Sequence, residues 1–485
     1  MDFRRIKMLR PLPFIGLIAA TLYGSGCATN PATGKSQIML ISEQQEIDLG
    51  RREDANTVSN FGLYGDAQLQ RYVADVGLSL ARDSERPSLP WDVKILDDPA
   101  VNAMALPGGY VYVTRGILGY LNSEAELATV LGHEIGHVTA RHSANQMSKA
   151  QIAGLGFGLG MMVEPGLSGL SDLAQMGTQA LFLKFSRDDE RQADELGMRY
   201  MVDDGYDPRE SPEVFDMLRR VSAQSGAGRI PGWMSTHPDP ENRSSRIRSL
   251  IAASDQDFEG AMIGREEYLR QIDGLAWGED PREGYFDGAR FIHPELAFQL
   301  ELPQGWKTQN TKEAVAAVSP GQDAVVYLTL APEKSLQEAA NKFATQEGVA
   351  TGRFSRGEFN GLSALWGEFN AYSGQTSIKG RIAFVEYGGR IYRLTGYSSG
   401  SKWSNYRGAI DRSVQSFARL RDQSALAVQP HRISIVQIDS DMTLQEFYQR
   451  FPSSVPLETV ALMNDAQPAT NFSKGNLLKR VVGGN

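Results

Sequence analysis

Cysteine is nearly absent from this chain of 485 residues: Cys27 is the only one, and there are just 6 histidines. A single cysteine forms no internal disulfide, so stability has to come from packed cores, and 41% hydrophobic residues is enough for several. Long apolar runs are missing as well. Beyond the N-terminus no segment reaches the ~18 uninterrupted apolar residues that read as a membrane span. There is no basic excess, and the formal net charge of -9 argues against nucleic acid as a partner. The glycine-rich run Ile152 to Val163 does not match the Gly-x-Gly-x-x-Gly dinucleotide pattern and follows no clear strand. It is predicted instead to form helical hairpins covering a cleft.

The chemistry that remains is concentrated. Val130-Leu131-Gly132-His133-Glu134-Ile135-Gly136-His137-Val138 places two imidazoles four residues apart with a carboxylate between them. On a helix, positions i and i+4 lie one above the other, so both rings can reach one metal ion. Glu134 is turned aside, where it can take a proton from a water; this is the HExxH arrangement of zinc peptidases. Ser123 and Glu126 predict a capping box at the start of the helix. Leu127, Val130, Leu131, Ile135 and Val138 supply its apolar stripe. Gly132 and Gly136 each cost a helix about 1 kcal/mol relative to alanine, which stability alone does not explain. Close approach of another backbone or of a substrate would.

A catalytic zinc site takes three protein ligands and keeps one open position. The best source of the third is Ser186-Arg187-Asp188-Asp189-Glu190-Arg191-Gln192-Ala193-Asp194. Ser186 is placed as an N-cap, with acids in the first turn where the helix dipole favours them. Glu190 and Asp194 then share a face: Glu190 as ligand, Asp194 as acceptor of a ligand histidine's N–H. Ser235-Thr236-His237-Pro238-Asp239-Pro240-Glu241-Asn242-Arg243 is turn-rich, because the residue before a proline is pushed out of the helical region. His237 either donates to an oxyanion or occupies the metal's open position at rest. Arg243 stabilises the same charge or holds the loop. His142, His293 and His431 carry no partner pattern and read as surface or packing residues.

Four ordered segments, "NAMALPGGYVYVTRGIL" from Asn102, "ELATVLGHEIGHVTARH" from Glu126, "FSRDDERQADELG" from Phe185 and "STHPDPENR" from Ser235, resemble the gluzincin metallopeptidase family of HtpX, Oma and the CAAX prenyl protease. The match is to its soluble, periplasmic BepA-like branch, over about residues 35 to 252. The resemblance implies His133, His137 and Glu190 as ligands of one Zn2+, Glu134 as catalytic base and His237 as an active-site residue. Arg243 is followed by "SSRI" where the family has Arg then Ile, so Arg246 is an alternative to it. In the family the strand after Gly108-Gly109 is an edge that pairs with an extended substrate, which makes Gly109, Tyr110 and Val111 the expected substrate strand. Family likeness also implies misfolded or stalled envelope proteins as substrates. The rival reading is a holdase or assembly factor for outer-membrane proteins with a latent zinc site.

Arg4, Arg5, Lys7 and Arg10, then an apolar run from Pro11 to Tyr23 and small residues ending at Cys27, read as a signal peptide. "GSGCATNPATGK" resembles the start of bacterial lipoproteins, which makes Cys27 the expected lipidation site. Ala28 after it suggests periplasmic anchoring to the outer membrane. The expected class is α+β in parts: signal peptide 1–27, a mainly helical zincin protease domain with a small edge-strand sheet over 28–252, a linker over 253–284, an α+β accessory domain over 285–420 and a βααβ module over 428–485. In the accessory domain, strands are predicted at Phe298 to Leu302 and Ala324 to Leu330. A hairpin over Ile382 to Thr395 turns at Gly388-Gly389, and a helix runs from Trp403 to Leu420. In the last module, Thr443 with Glu446 makes a capping box, and "TLQEFYQRF", "ETVALMN" and "NLLKRVV" resemble a divergent LysM module, implying peptidoglycan as a partner. No tetratricopeptide-like repeat is visible.

Overall fold

The computed structural model describes residues 27–152, 185–224, 233, 237, 240–373 and 376–484. The signal segment before Cys27 and the glycine-rich run after Ile152 lie outside the described residues. Among the described residues, no helix is long and apolar enough to cross a membrane.

The first part of the chain packs helices around one central helix, Glu124–Thr139, which carries the HExxH motif. Its start is half of the expected capping box. Ser123 accepts the Glu126 N–H, but the Glu126 carboxylate accepts from the Asn122 N–H at 2.7 Å rather than from Ser123. Every residue from Ala125 to Thr139 is buried, so the helix has no solvent face. Its apolar stripe packs into a core with Leu80 of Ala67–Arg82 and Leu218 of Ser211–Gln224, while its polar face turns inward onto the site.

A three-stranded sheet lies beside this helix. Tyr110–Thr114 runs parallel to Asp92–Leu96 on one side and antiparallel to Ala103–Leu106 on the other. The expectation that Gly109, Tyr110 and Val111 form a substrate-accepting edge is therefore corrected. Both sides of that strand are already hydrogen-bonded, and all five of its residues are buried. Among the described residues the edges are Asp92–Leu96 and Ala103–Leu106, the latter the strand before the Gly108-Gly109 turn. Sequence alternation identified a strand but not its neighbours.

The accessory domain is an antiparallel sheet, eight-stranded among the described residues. One helix, Trp403–Gln415, covers one face and another, Leu336–Ala344, covers the other. The Ala324–Ala331 strand shows why: Val325 faces one core and Val326 the other. The predicted hairpin is present as Thr376–Tyr387 and Arg390–Ser399, with Gly388 and Gly389 at φ 57° and 73°, the left-handed pair its tight turn requires. The final helix stops at Gln415 rather than Leu420, because Ala418–Arg419 returns as a strand against Phe298–Glu301.

The last module is β-α-α-β as expected: His431–Gln437 pairs with Leu477–Gly483, and Leu444–Arg450 and Leu457–Met463 lie between them. The Thr443–Glu446 capping box is complete. The segment expected to be a linker is not one. Tyr268, Leu269, Ile272 and Leu275 enter the core around the motif helix, and Ala276–Trp277 pairs with His431–Gln437. Ile433, Met463 and Val481 of the module belong to that same core.

Lys479 locks the two parts together. Fully buried, it donates to the carbonyl oxygens of Gly119, Tyr120 and Leu121 at 3.2, 3.2 and 2.7 Å. These carbonyls end the short helix Arg115–Tyr120, where a cation is favoured. Burial pulls the Lys479 proton affinity down, yet three acceptors require three N–H bonds, which only the ammonium form has. A Lys479→Met substitution takes the charged donor from the Gly119 and Leu121 carbonyls, while that of Tyr120 keeps the Asn122 amide at 3.0 Å. It is expected to cost about 3 kcal/mol, read as earlier urea unfolding of the helical domain and the last module together. Loss of the last module alone, with the transition of the helical domain unmoved, would count against this lock.

Candidate metal centre

Two helices supply the centre, and glycines set their separation. A methyl group at Gly132 would lie 3.0 Å from the Gly197 carbonyl oxygen, and one at Gly136 would lie 2.9 Å from that of Ala193. Gly197, on the partner helix Arg187–Asp203, is tighter still: a methyl there would sit 2.7 Å from the His133 backbone nitrogen. The costly glycines of the motif helix thus have their reason in close backbone approach. Ser186 caps the second helix in a reciprocal box with Asp189, which starts it in the register that turns Glu190 and Asp194 inward.

Ligand-type atoms of His133, His137, Glu190 and His237 all lie within 4.8 Å of one another, and all four residues are buried. His133 Nε2 is 3.1 Å from His137 Nε2 and 3.1 Å from His237 Nδ1. Glu190 Oε1 is 2.9 Å from His237 Nδ1 and 3.5 Å from His137 Nε2. Burial, with Arg243 and the other imidazoles nearby, lowers the proton affinity of His133 and His137, which keeps their ring nitrogens available as lone-pair donors. His237 goes the other way: burial opposes protonation, but Glu190 and Glu134 outweigh it. Burial pushes the Glu190 carboxyl up, and His237 and Arg243 more than reverse it, so Glu190 is the anion.

Asp194 lies beside the motif helix with Oδ1 3.0 Å from His133 Nδ1. It accepts the N–H there and so leaves the His133 Nε2 lone pair facing the cluster. Burial works against its charge, yet Arg243 and His133 hold its carboxyl well below the ordinary carboxylate range. Arg243 donates to Asp194 Oδ1 at 2.5 Å, and its guanidinium lies over the rings of Phe215 and Trp233 at 4.4 and 4.5 Å. Arg246 reaches the other Asp194 oxygen at 2.8 Å but is partly exposed. Of the two arginines, Arg243 is therefore the buried member of the centre and Arg246 the outer one.

Whether a metal fits can be read from the donor set. Glu190 Oε2 is buried and ion-paired with Arg243 Nη1 at 3.0 Å, while Glu190 Oε1 and three imidazoles converge in one buried cluster. Two histidines and a glutamate, with a further histidine adjoining, make a nitrogen and oxygen donor set suited to zinc.

Two residues of the site were not anticipated. Trp233 is buried, donates its indole N–H to Glu134 Oε1 at 3.2 Å and stacks on His237 at 4.8 Å. Its one signal in the sequence is its position, four residues before His237, where the His237 N–H reaches its carbonyl. His142, read as surface or packing, is buried with Nδ1 2.9 Å from His137 Nδ1. Cys27 lies far along the chain from these residues, in the strand Cys27–Thr29 paired with Ser36–Ile38.

Comparison with known proteins agrees with this geometry. The profile of Peptidase family M48 matches residues 67–251. The mitochondrial metalloendopeptidase OMA1 of Arabidopsis thaliana is 36% identical over 187 residues, 38% of this chain and 36% of that protein. The beta-barrel assembly-enhancing protease of Escherichia coli is 28% identical over 260 residues, 50% of this chain and 53% of that protein. The chain thus spans about half or less of the length of these relatives. Among solved structures, cyanobacterial PsbP from Synechocystis aligns with 28% of the chain at 12% identity and a TM-score of 0.24, too slight to assign a fold. With its motif helix, its acidic partner helix and their shared donor cluster, the segment 67–251 is similar to peptidase family M48.

Proposed function

We propose that this chain is a zinc-dependent metalloendopeptidase. The observation that carries the reading is the convergence of His133, His137, Glu190 and His237 within 4.8 Å, with Glu134 beside them and outside the ligand set. Zinc, when bound, supplies Lewis acidity that acidifies a water and polarises the scissile carbonyl. Glu134 takes the attacking water's proton and passes it to the leaving amine. The Trp233 N–H aims the Glu134 carboxylate, while Arg243 balances the charge of Glu190 and Asp194. Ala103–Leu106, the edge strand packed beside the motif helix, is the strand on which an extended substrate would pair.

Misfolded or stalled envelope proteins are the proposed substrates, in keeping with relatives named as beta-barrel assembly-enhancing proteases. The proposed location is the periplasmic side of the outer membrane, anchored through lipidated Cys27, with outer-membrane assembly machinery as a partner. The LysM-like last module would add contact with peptidoglycan.

A second reading, a holdase with a latent zinc site, draws on the position of His237. Its Nδ1 sits among the ligand atoms, 2.9 Å from Glu190 and 3.1 Å from His133, so it stands where a fourth ligand would. Incubating an unfolded protein with the zinc-loaded wild type and with His237→Ala separates the two. The peptidase reading expects chelator-sensitive fragments from both, and several-fold faster cleavage by the variant if His237 closes the site at rest. Slower cleavage by the variant would assign His237 to the oxyanion instead. Protection of the unfolded protein without fragments from either would favour the holdase.

A further inference from the structure

We infer that His142 and Gln192 form a relay that sets the tautomer of His137 and ties the two ligand helices together; this rests on the zinc reading above. The motif helix ends at Thr139, and the helix His142–Ile152 begins three residues on. Between them Arg141 takes φ 59°, a left-handed turn that a side chain rarely adopts. It is held there by buried Glu46, whose Oε1 accepts from Arg141 Nε at 2.7 Å and whose Oε2 accepts from Arg86 at 2.8 Å. Arg141 also donates to the Ile41 carbonyl at 2.8 Å. The turn brings His142 back onto His137.

Two nitrogens at 2.9 Å share a single proton. His137 presents Nε2 to the ligand cluster, so a metal-binding His137 keeps its proton on Nδ1 and donates it to His142 Nδ1. The proton of His142 then sits on Nε2, which lies 3.0 Å from Gln192 Oε1. Gln192 is two residues past Glu190 on the second ligand helix. The relay therefore closes a loop from one ligand helix to the other. Its direction depends on which end of the Gln192 amide faces His142. With the amide nitrogen there, both histidines reverse, and His137 Nε2 carries the proton and cannot bind a metal. In the structure the oxygen faces His142, and the buried Gln192 Nε2 has no partner.

His142 is thus a positioning residue, and the test is metal affinity rather than turnover. Zinc affinity of the full chain would be measured by competition with a chromophoric chelator, with thermal midpoints taken in loaded and metal-free forms. His142→Ala is expected to weaken zinc binding by about 10- to 100-fold and to lower the loaded midpoint more than the metal-free one. Gln192→Glu offers only acceptor oxygens, so it is expected to hold zinc at least as tightly as wild type. A His142→Ala protein that binds zinc as tightly as wild type, or whose two midpoints fall equally, overturns the relay. So does a tenfold weaker Gln192→Glu. Wild type that takes up no zinc removes the metallopeptidase reading itself, and the relay with it.

Discussion

Replacing Glu134 with glutamine is expected to leave the metal in place and lower turnover by on the order of a thousandfold. Glu134 falls between the two ligand histidines on the helix, which turns its carboxylate away from the shared face of His133 and His137. It is buried and accepts the Trp233 indole N–H at 3.2 Å. Glutamine keeps an acceptor oxygen for that bond and nearly the same volume, so the packing has no reason to change. What disappears is the ability to take a proton and return it to the leaving amine. Fragment yield from an unfolded protein and zinc content by atomic absorption should therefore separate: full metal, almost no fragments. Cleavage at the wild-type rate would remove Glu134 from the mechanism.

A Gly197→Val substitution should damage the protein without touching any candidate ligand. A Cβ at Gly197 would meet the His133 nitrogen at 2.7 Å and the Gly132 carbonyl carbon at 2.8 Å. These are backbone atoms inside a buried helix and cannot rotate away. The two ligand helices must part, and Glu190, seven residues before Gly197 on the same face, parts with them. The expected cost is about 1–3 kcal/mol for overpacking, together with at least tenfold weaker zinc binding. Gly65→Ala, where an added methyl meets nothing within 4 Å, serves as the control and should change neither quantity. A Gly197→Val protein that melts and binds zinc like wild type would mean that the helix spacing does not govern the centre.

Much of the centre was legible because its logic is local. The spacing of His133 and His137, the cap at Ser186 and the shared face of Glu190 and Asp194 are consequences of one helical turn. The glycines of the motif helix announced a close neighbour, although not which one. Harder to read were residues whose role depends on segments distant in sequence. Trp233 stands outside every motif segment, Arg243 reaches the site from the separate helix Pro240–Ala252, and His142 returns to His137 only because Arg141 adopts a left-handed turn held by Glu46, about 95 residues earlier in the chain.

By itself the sequence determined the elements and the chemistry one of them carries: a helix with two stacked imidazoles and a carboxylate, a capped acidic helix, a glycine-turned hairpin, and a final β-α-α-β unit. Only the tertiary structure decided that Tyr110–Thr114 is a central strand with Ala103–Leu106 at one edge, that Arg243 rather than Arg246 is buried against Asp194, and that the expected linker and Lys479 weld the last module to the core around the motif helix. Helical faces follow from bonds four residues apart, whereas strand order, burial of a particular arginine and a lysine capping a remote helix are set by contacts between segments whose separation along the chain leaves no periodic trace.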